Sequence, residues 1–367
     1  MTAAPLFTPA SSASEAPKLC SRLAIVGFFD GTHVGGSLWR AATHLGIDTA
    51  KFGVTDAESG NHIVRAVLWR FGDRRPPRMH RFSKSVVAGC RQSEPEILIA
   101  TGAAPLTGAT LRALREMGIV CVNYSTDDPW NPVLRASWHL RNLPEYDAIF
   151  TTRRANIGMF VQAGCRKVHY LPFGYDEWLR CRRAPALDVP APDVLFVGGA
   201  DRDRVTFMSE FLRTGPRVAL VGSYWERFPS TRSYALGQQP LQALCALTSA
   251  AKVNLCLVRR ANRDGHVMRS FEIAAIGGCM LAEDTVEHRE IFGPDGEAVV
   301  YFRTAREAAE RARSLLADPA ERARLSAVVR ARISRGAHTY GHRLVSILEV
   351  ATRIRGAHSE PSQSAVP

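Results

Sequence analysis

The chain has 367 residues, of which 46% are hydrophobic and 22% charged, and its formal net charge is +12. This balance excludes a fibrous or wholly disordered polypeptide, and at roughly 150 residues per domain the length suggests about two domains. No run approaches the roughly 18 consecutive apolar residues of a transmembrane helix.

Only five of the 47 basic residues are lysines, and the arginines are spread along the whole chain with no basic arm or recognisable module. No nucleic-acid partner is therefore expected. Residues 1–18 are rich in Ala, Ser and Pro and lack both a basic n-region and an apolar h-region. They read as a disordered tail and not a signal peptide, so a cytoplasmic location is expected.

Short apolar runs then alternate with helix-period segments. Strands are predicted at Arg22–Phe29, Ile47–Val54, Glu96–Thr101, Ile119–Tyr124, Ala148–Thr151 and Lys167–Leu171. Amphipathic stretches lie between them at Ser37–Leu45, His62–Phe71, Gly108–Met117 and Arg154–Ala163. Continuous apolar strands separated by helices indicate parallel sheets built from βαβ units. The pattern breaks at residues 180–192, where Pro and Arg without periodicity read as a linker between a first domain at 19–179 and a second at 193–338. Beyond the linker, strands are predicted at Asp193–Val197, Arg217–Gly222, Lys252–Val258, Cys279–Ala282 and Val299–Phe302. Helices fill Arg204–Arg213, Leu241–Ala250, Val267–Ile276, Thr304–Ala317 and Pro319–Ser334, and a last helix at about Gly341–Arg355 precedes a polar tail at 357–367. The eight cysteines lie far apart with no C-x-x-C pair, which supports neither a zinc ribbon nor a disulfide framework.

Ligands of open α/β sheets bind at the carboxyl ends of the strands, so the loops there are the candidates. The first, Gly27–Ser37, carries glycines at 27, 31, 35 and 36, which matches neither G-x-G-x-x-G nor a Walker loop. It is a flexible turn ending at a helix N-terminus, where Gly35 and Gly36 could bring backbone N–H groups to an anion and His33 or Asp30 could act as base. The plainer reading is a long βα loop with solvent-facing polar residues. The second, Asn123–Pro132, places Asp127 and Asp128 beside Trp130 at a strand end; it is a hydroxyl-binding site or an Asp/Asn/Pro turn. In the third, strand Asn254–Val258 leads into Arg259–His266 and then a helix, with Asp264 eight positions before Glu272. Arg269 in the first turn of that helix makes a positive site for a diphosphate, and Glu272, inside the helix, calls for a hydroxyl partner such as a ribose. The stretch Trp69–Phe82 interleaves arginines with aromatics and could dock on anionic lipid, although its prolines favour a solvated loop.

The run Arg269–Leu281, the segment Glu290–Glu297, Tyr301-Phe302 and the closing His338-Thr-Tyr-x-x-Arg343 resemble the glycosyltransferase group 1 domain of the bacterial CgeB (spore maturation protein) type. The first half is similar at Asp127–Pro129, at Tyr146–Phe150 and at Leu171-Pro172. The resemblance implies an α/β GT-B architecture with two facing Rossmann-like domains and a helix at 339–356 that crosses back to the first. The nucleotide-sugar donor would lie on the second domain and the acceptor on the first. Glu272 matches the second acid of that family's Glu-x7-Glu pair, which contacts the donor ribose; the first falls on Asp264, a departure from Glu. Arg202, Arg204 and Arg269 are then candidates for the diphosphate, with His266, Ser270, Gly35 and Gly36 near the donor. His33, Asp127 and Asp264 are the candidate catalytic groups. No cofactor or metal is expected, the nucleotide sugar being a co-substrate, and the acceptor could be a glycan, lipid, protein or small molecule. The paired-acid spacing tilts toward retention of configuration. Peripheral contact with the inner membrane face is the alternative to a free cytoplasmic protein. A nucleotide-sugar epimerase, or a non-catalytic nucleotide-sugar binder, are the competing functions.

Overall fold

The computed structural model describes residues 20–181, 191–214 and 216–359 of the chain. Within them, two six-stranded parallel sheets form, one before and one after the segment predicted as a linker, most of which lies outside the described residues, as do most of the two predicted tails. The first sheet contains β1 (Arg22–Gly27), β2 (Asp48–Gly53), β3 (Ile97–Thr101), β4 (Val120–Ser125), β5 (Ala148–Thr151) and β6 (Val168–Tyr170), in the order β2-β1-β3-β4-β5-β6. The second contains β7 (Val194–Val197), β8 (Val218–Val221), β9 (Ala235–Gly237), β10 (Val253–Cys256), β11 (Met280–Glu283) and β12 (Val300–Phe302), in the order β12-β11-β10-β7-β8-β9. Central strands are mostly apolar because helices cover both faces: Leu23 to Val26 of β1 and Ile97 to Ala100 of β3 are all buried, in register with each other.

Several elements escaped the sequence reading, the short helices Ser137–Asn142 and Val286–Phe292 among them. The short edge strand β9 has no apolar run to mark it. The helix Met79–Ser93 begins inside the stretch Trp69–Phe82, so the predicted loop there is confined to residues 72–78, between that helix and the helix His62–Phe71. Its buried residues Met79, Phe82, Val86 and Cys90 repeat at helical spacing, but arginines, Lys84 and Gly89 dilute the signal.

The last helix, Tyr340–Ser359, runs past the predicted start of the tail at 357 and packs on the helix Val34–His44 and on β4 of the first domain. Leu344, Ile347, Leu348, Ala351 and Ile354 form its buried stripe. The four larger side chains contribute roughly 6–12 kcal/mol of apolar burial. The stripe belongs to one continuous apolar cluster that also holds Ile25, Leu38 and Tyr124 of the first domain and Phe271, Ile273 and Ala274 of the second.

At the start of this helix Arg343 is buried with no carboxylate beside it. Its guanidinium donates to the carbonyls of Pro172 (2.8 Å), Phe173 (2.9 Å) and Ala337 (2.6 Å). Tyr175 N–H donates to His338 O at 3.1 Å and Tyr340 N–H to Tyr175 O at 3.0 Å, closing a short parallel bridge between Tyr175 and Thr339. Gly174 permits the approach, since a Cβ there would stand 2.7 Å from His338 O. The closing H-T-Y-x-x-R motif thus ties the returning helix to the segment that leaves the first sheet. Arg343→Ala strands at least two buried carbonyls at roughly 1–3 kcal/mol each. Urea denaturation should show a lower midpoint and, by hydrogen exchange, loss of protection in Val34–His44 and Tyr340–Ser359 together; unchanged protection in Val34–His44 would mean the clamp does not hold the domains.

Candidate active site

In each sheet the strand order reverses beside the first strand of the domain, and a crevice opens outside the strand ends at such a point. In the second sheet the reversal lies between β7 and β10. A cavity of about 220 Å³ occupies it, floored by Phe196, Val197 and Leu255 to Leu257. Three arginines reach its wall. Arg204 is buried, donating to the carbonyls of Gly199 (3.2 Å) and Leu257 (3.3 Å). Arg259 is more open and stands 3.7 Å from Asp201, whose carboxylate caps the helix Arg202–Phe211. Arg269 lies in the first turn of the helix Met268–Ile276. That helix stops at Gly277, where φ is +89° and the N–H returns to Ile273 O and Ala274 O.

The first domain supplies the opposite wall: Thr126, Asp127, Arg153 and Phe173. The second and third candidate loops meet here. Asn131 Nδ2 donates to Asn262 Oδ1 at 2.6 Å, Asn262 Nδ2 to Asp127 Oδ1 at 3.2 Å, and Arg263 Nε to Asp128 Oδ2 at 2.8 Å. Arg153 Nε donates to Asp264 Oδ1 at 2.5 Å, while its other nitrogens donate to Thr152 Oγ1 and Thr126 O. Burial still pushes the Asp264 carboxyl above its usual range, Arg153 opposing it. Asp127 is the exposed member of the group.

Of the residues proposed from sequence, Asp127, Asp264, Arg204 and Arg269 line this one cavity. The others stand elsewhere. Arg202 borders a second hollow of about 340 Å³ beyond Arg204 and Leu257, with Arg260, Glu283 and Arg303. His33 is the exposed N-cap of the helix Val34–His44, its ring 5.2 Å from Phe28. Gly35 and Gly36 pack under the Phe28 and Phe29 carbonyls, where a Cβ would come within 2.6 and 2.4 Å, and Gly36 N–H is already bonded to Phe28 O. They serve a close strand–helix approach. Glu272 is buried beside Arg269 at 2.5 Å and faces Thr32 and Asp176, its carboxyl raised first by burial. Both ring nitrogens of His266 are committed: Nε2 accepts from Phe173 N–H (3.1 Å), so Nδ1 carries the proton donated to Glu287 (2.6 Å). Ser270 is buried against His288 Nε2 at 2.8 Å. Arg153, Asn262 and Arg263 were not singled out from sequence; Arg153 sits two residues past a predicted strand, the one signal that could have marked it. Among the described residues no group of three or more His, Cys, Asp or Glu is arranged to hold a metal ion, and no helix is long and apolar enough to cross a membrane.

Residues 202–349 match the model of a family described as glycosyl transferase-like. The whole fold matches solved structures. Sucrose-phosphate synthase from Thermosynechococcus elongatus aligns with a TM-score of 0.65 at 15% identity, over 92% of this chain and 100% of that one. Anabaena HepE in complex with UDP-glucose aligns with a TM-score of 0.64 at 14% identity, over 90% and 100%. The trehalose 6-phosphate synthase from Burkholderia multivorans aligns with a TM-score of 0.61 at 13% identity, over 92% and 99%. The fold is GT-B. No curated protein matches the chain. In this GT-B frame the cavity between β7 and β10 faces the first domain across the interdomain cleft.

Buried histidines give the site a pH limit. Burial lowers His266, and lowers His139, His288 and His338 to about 4. The unfolded chain takes up these protons near pH 6.5. Below that pH it binds more protons than the folded chain, so the stability these groups confer is whole above about 6.5 and is lost as pH falls toward 4. The slope is up to roughly 1.4 kcal/mol per pH unit for each histidine. Urea midpoints should fall steadily from neutral pH to about pH 5; a flat profile would mean the imidazoles are not held neutral.

Proposed function

We propose that the protein is a glycosyltransferase that moves a sugar from a nucleotide-diphosphate sugar to an acceptor hydroxyl. The observation that carries this reading is the cavity at the reversal point of the second sheet, walled by Arg204, Arg259 and Arg269 at a helix N-terminus. Fixed cations and backbone N–H groups aimed at a leaving diphosphate stabilise its developing charge without reorganisation. The glycosyl transferase-like match over residues 202–349 supports the reading, as does the shared fold with sucrose-phosphate and trehalose 6-phosphate synthases and with a protein bound to UDP-glucose. The CgeB-type resemblance adds the H-T-Y-x-x-R motif, and the paired-acid spacing points to retention.

Asp127 is our candidate for the acceptor hydroxyl, because Asp128 and Asp264 are tied to Arg263 and Arg153. The cavity is smaller than the roughly 300–1,000 Å³ usual for ligand sites, so a whole donor parts the Asn131–Asn262 contact on entry. The diphosphate charge is met by arginines in this scheme, with no metal assigned.

Titration calorimetry with UDP, GDP, dTDP and CDP should find one preferred diphosphate. Arg259→Met should weaken it about tenfold, the scale of one charge-assisted bond, and leave the parent nucleoside's binding unchanged. Equal losses for nucleoside and diphosphate would remove Arg259 from the phosphate site. Asp127→Asn should cut kcat by roughly 10²–10⁴ at unchanged donor affinity. Donor consumption that requires an acceptor marks a transferase; interconversion without one would mark an epimerase, and tight binding without turnover a binder.

A further inference from the structure

The helix His62–Phe71 buries none of its ten residues. Isolated helices of that length are marginal in water, so the fold itself must hold this one in place. Its N-cap, Asn61, accepts from Ile63 N–H. Just past its C-terminal end, Asp73 accepts from Ser137 N–H and Trp138 N–H at 2.9 and 3.0 Å. Arg74 donates to the carbonyls of Arg135 (2.5 Å) and Pro132 (3.1 Å).

At 100° per residue, Ile63, Val64, Val67, Leu68 and Phe71 fall on one face. Ile63 is 58% exposed, Val67 51% and Phe71 82%. A contiguous apolar face left in water marks an interaction site. The other side carries His62, Arg65, Trp69 and Arg70, and the helix has no acid. From His62 to Lys84, seven Arg and Lys stand against the single acid Asp73, which is already used as a cap. Arg65 acts on Glu58, in the turn before the helix.

We infer that this helix is an interfacial anchor that lays its apolar face into a lipid bilayer bearing anionic headgroups. An apolar face flanked by Arg and Trp is the pattern of helices that lie in the membrane plane, about 5–10 Å deep. The surrounding arginines complement anionic lipid. A second copy is disfavoured by the same charges, because an isologous contact brings two patches of the same positive sign together. The sequence offered the stretch Trp69–Phe82 as a lipid contact, with a solvated loop the favoured reading; the helix His62–Phe71 overlaps the start of that stretch, and Arg75, Arg78 and Arg81 are exposed beside it.

The test is flotation of the full chain with vesicles of phosphatidylcholine, alone or with about one third phosphatidylglycerol, at about 0.1 M salt. Binding is expected to the anionic vesicles. Val67→Ser with Phe71→Ser should lose at least about tenfold, and Arg65→Gln with Arg70→Gln about fivefold per arginine. All four side chains are exposed, so thermal midpoints and diphosphate affinity should not move. Absence of flotation, flotation of either double variant equal to the parent's, or equal binding to neutral vesicles overturns the proposal. A lipid-free dimer that the Val67→Ser, Phe71→Ser variant abolishes would also overturn it, assigning the face to a second copy.

Discussion

A buried guanidinium, that of Arg343, is enclosed where the chain leaves the first domain and where it returns. Without a carboxylate beside it, its charge is met by carbonyl dipoles of Pro172, Phe173 and Ala337. An isolated buried cation is costly, and burial accordingly lowers its proton affinity. The arrangement is tolerable only if those carbonyls converge, and their convergence fixes the backbone on both sides of the crossing. The apolar stripe of the last helix then completes one core shared by both halves. Covalently distant segments thus meet at Arg343, and this junction, together with the pairs that cross the cleft, relates the two sheets.

Across that cleft the polar groups divide by how fully they are engaged. Arg153 and Asp264 are both almost wholly buried and paired, with the remaining guanidinium nitrogens bonded to Thr152 and Thr126. A buried pair of this kind contributes definition of geometry more than net stability. Asp128 with Arg263 is its partner a few residues away. These pairs align the walls, and they leave Asp127 and Arg259 as the charges with most room to meet a ligand, while Arg269 is shared with Glu272. The division also explains why like residues in one loop have unlike roles: Asp127 and Asp128 are adjacent, but one is exposed and the other is buried under Arg263.

The fold was legible because parallel strands buried on both faces leave unmistakable apolar runs, such as Leu23–Val26 and Val120–Val122, and because the last helix shows its stripe at 344, 347, 348 and 351. The helix Met79–Ser93 was not, since only one residue in three of it is apolar and inward. The site was half legible. Loop position after a strand directed attention to Asp127 and to the 259–269 segment, and both reach the cavity wall, since topology puts strand ends at the crevice whatever the residues are. What position cannot convey is which polar groups are already satisfied. His266 and Ser270 lie in the right segment, yet their hydrogen bonds go to Phe173, Glu287 and His288, residues 18 or more positions away. Arg153 was invisible for the converse reason: its meaning comes from Asp264, which stands 111 residues later.

The exposed helix and the acceptor-side wall are joined mechanically. Asp73 and Arg74, which follow the helix His62–Phe71, bond to the backbone at Pro132, Arg135, Ser137 and Trp138. That same segment begins with Asp127, Asp128 and Asn131, the residues that meet the second domain. The residues that follow the helix are thus bonded directly to the loop that carries Asp127. The loop is rich in turn formers, with Asp128 and Asn131 side chains accepting from Trp130 N–H and Val133 N–H, which fixes its local shape. The first domain therefore has a helix with no buried residue and the exposed carboxylate of Asp127 on one hydrogen-bonded segment, facing the arginines of the second domain across the cavity.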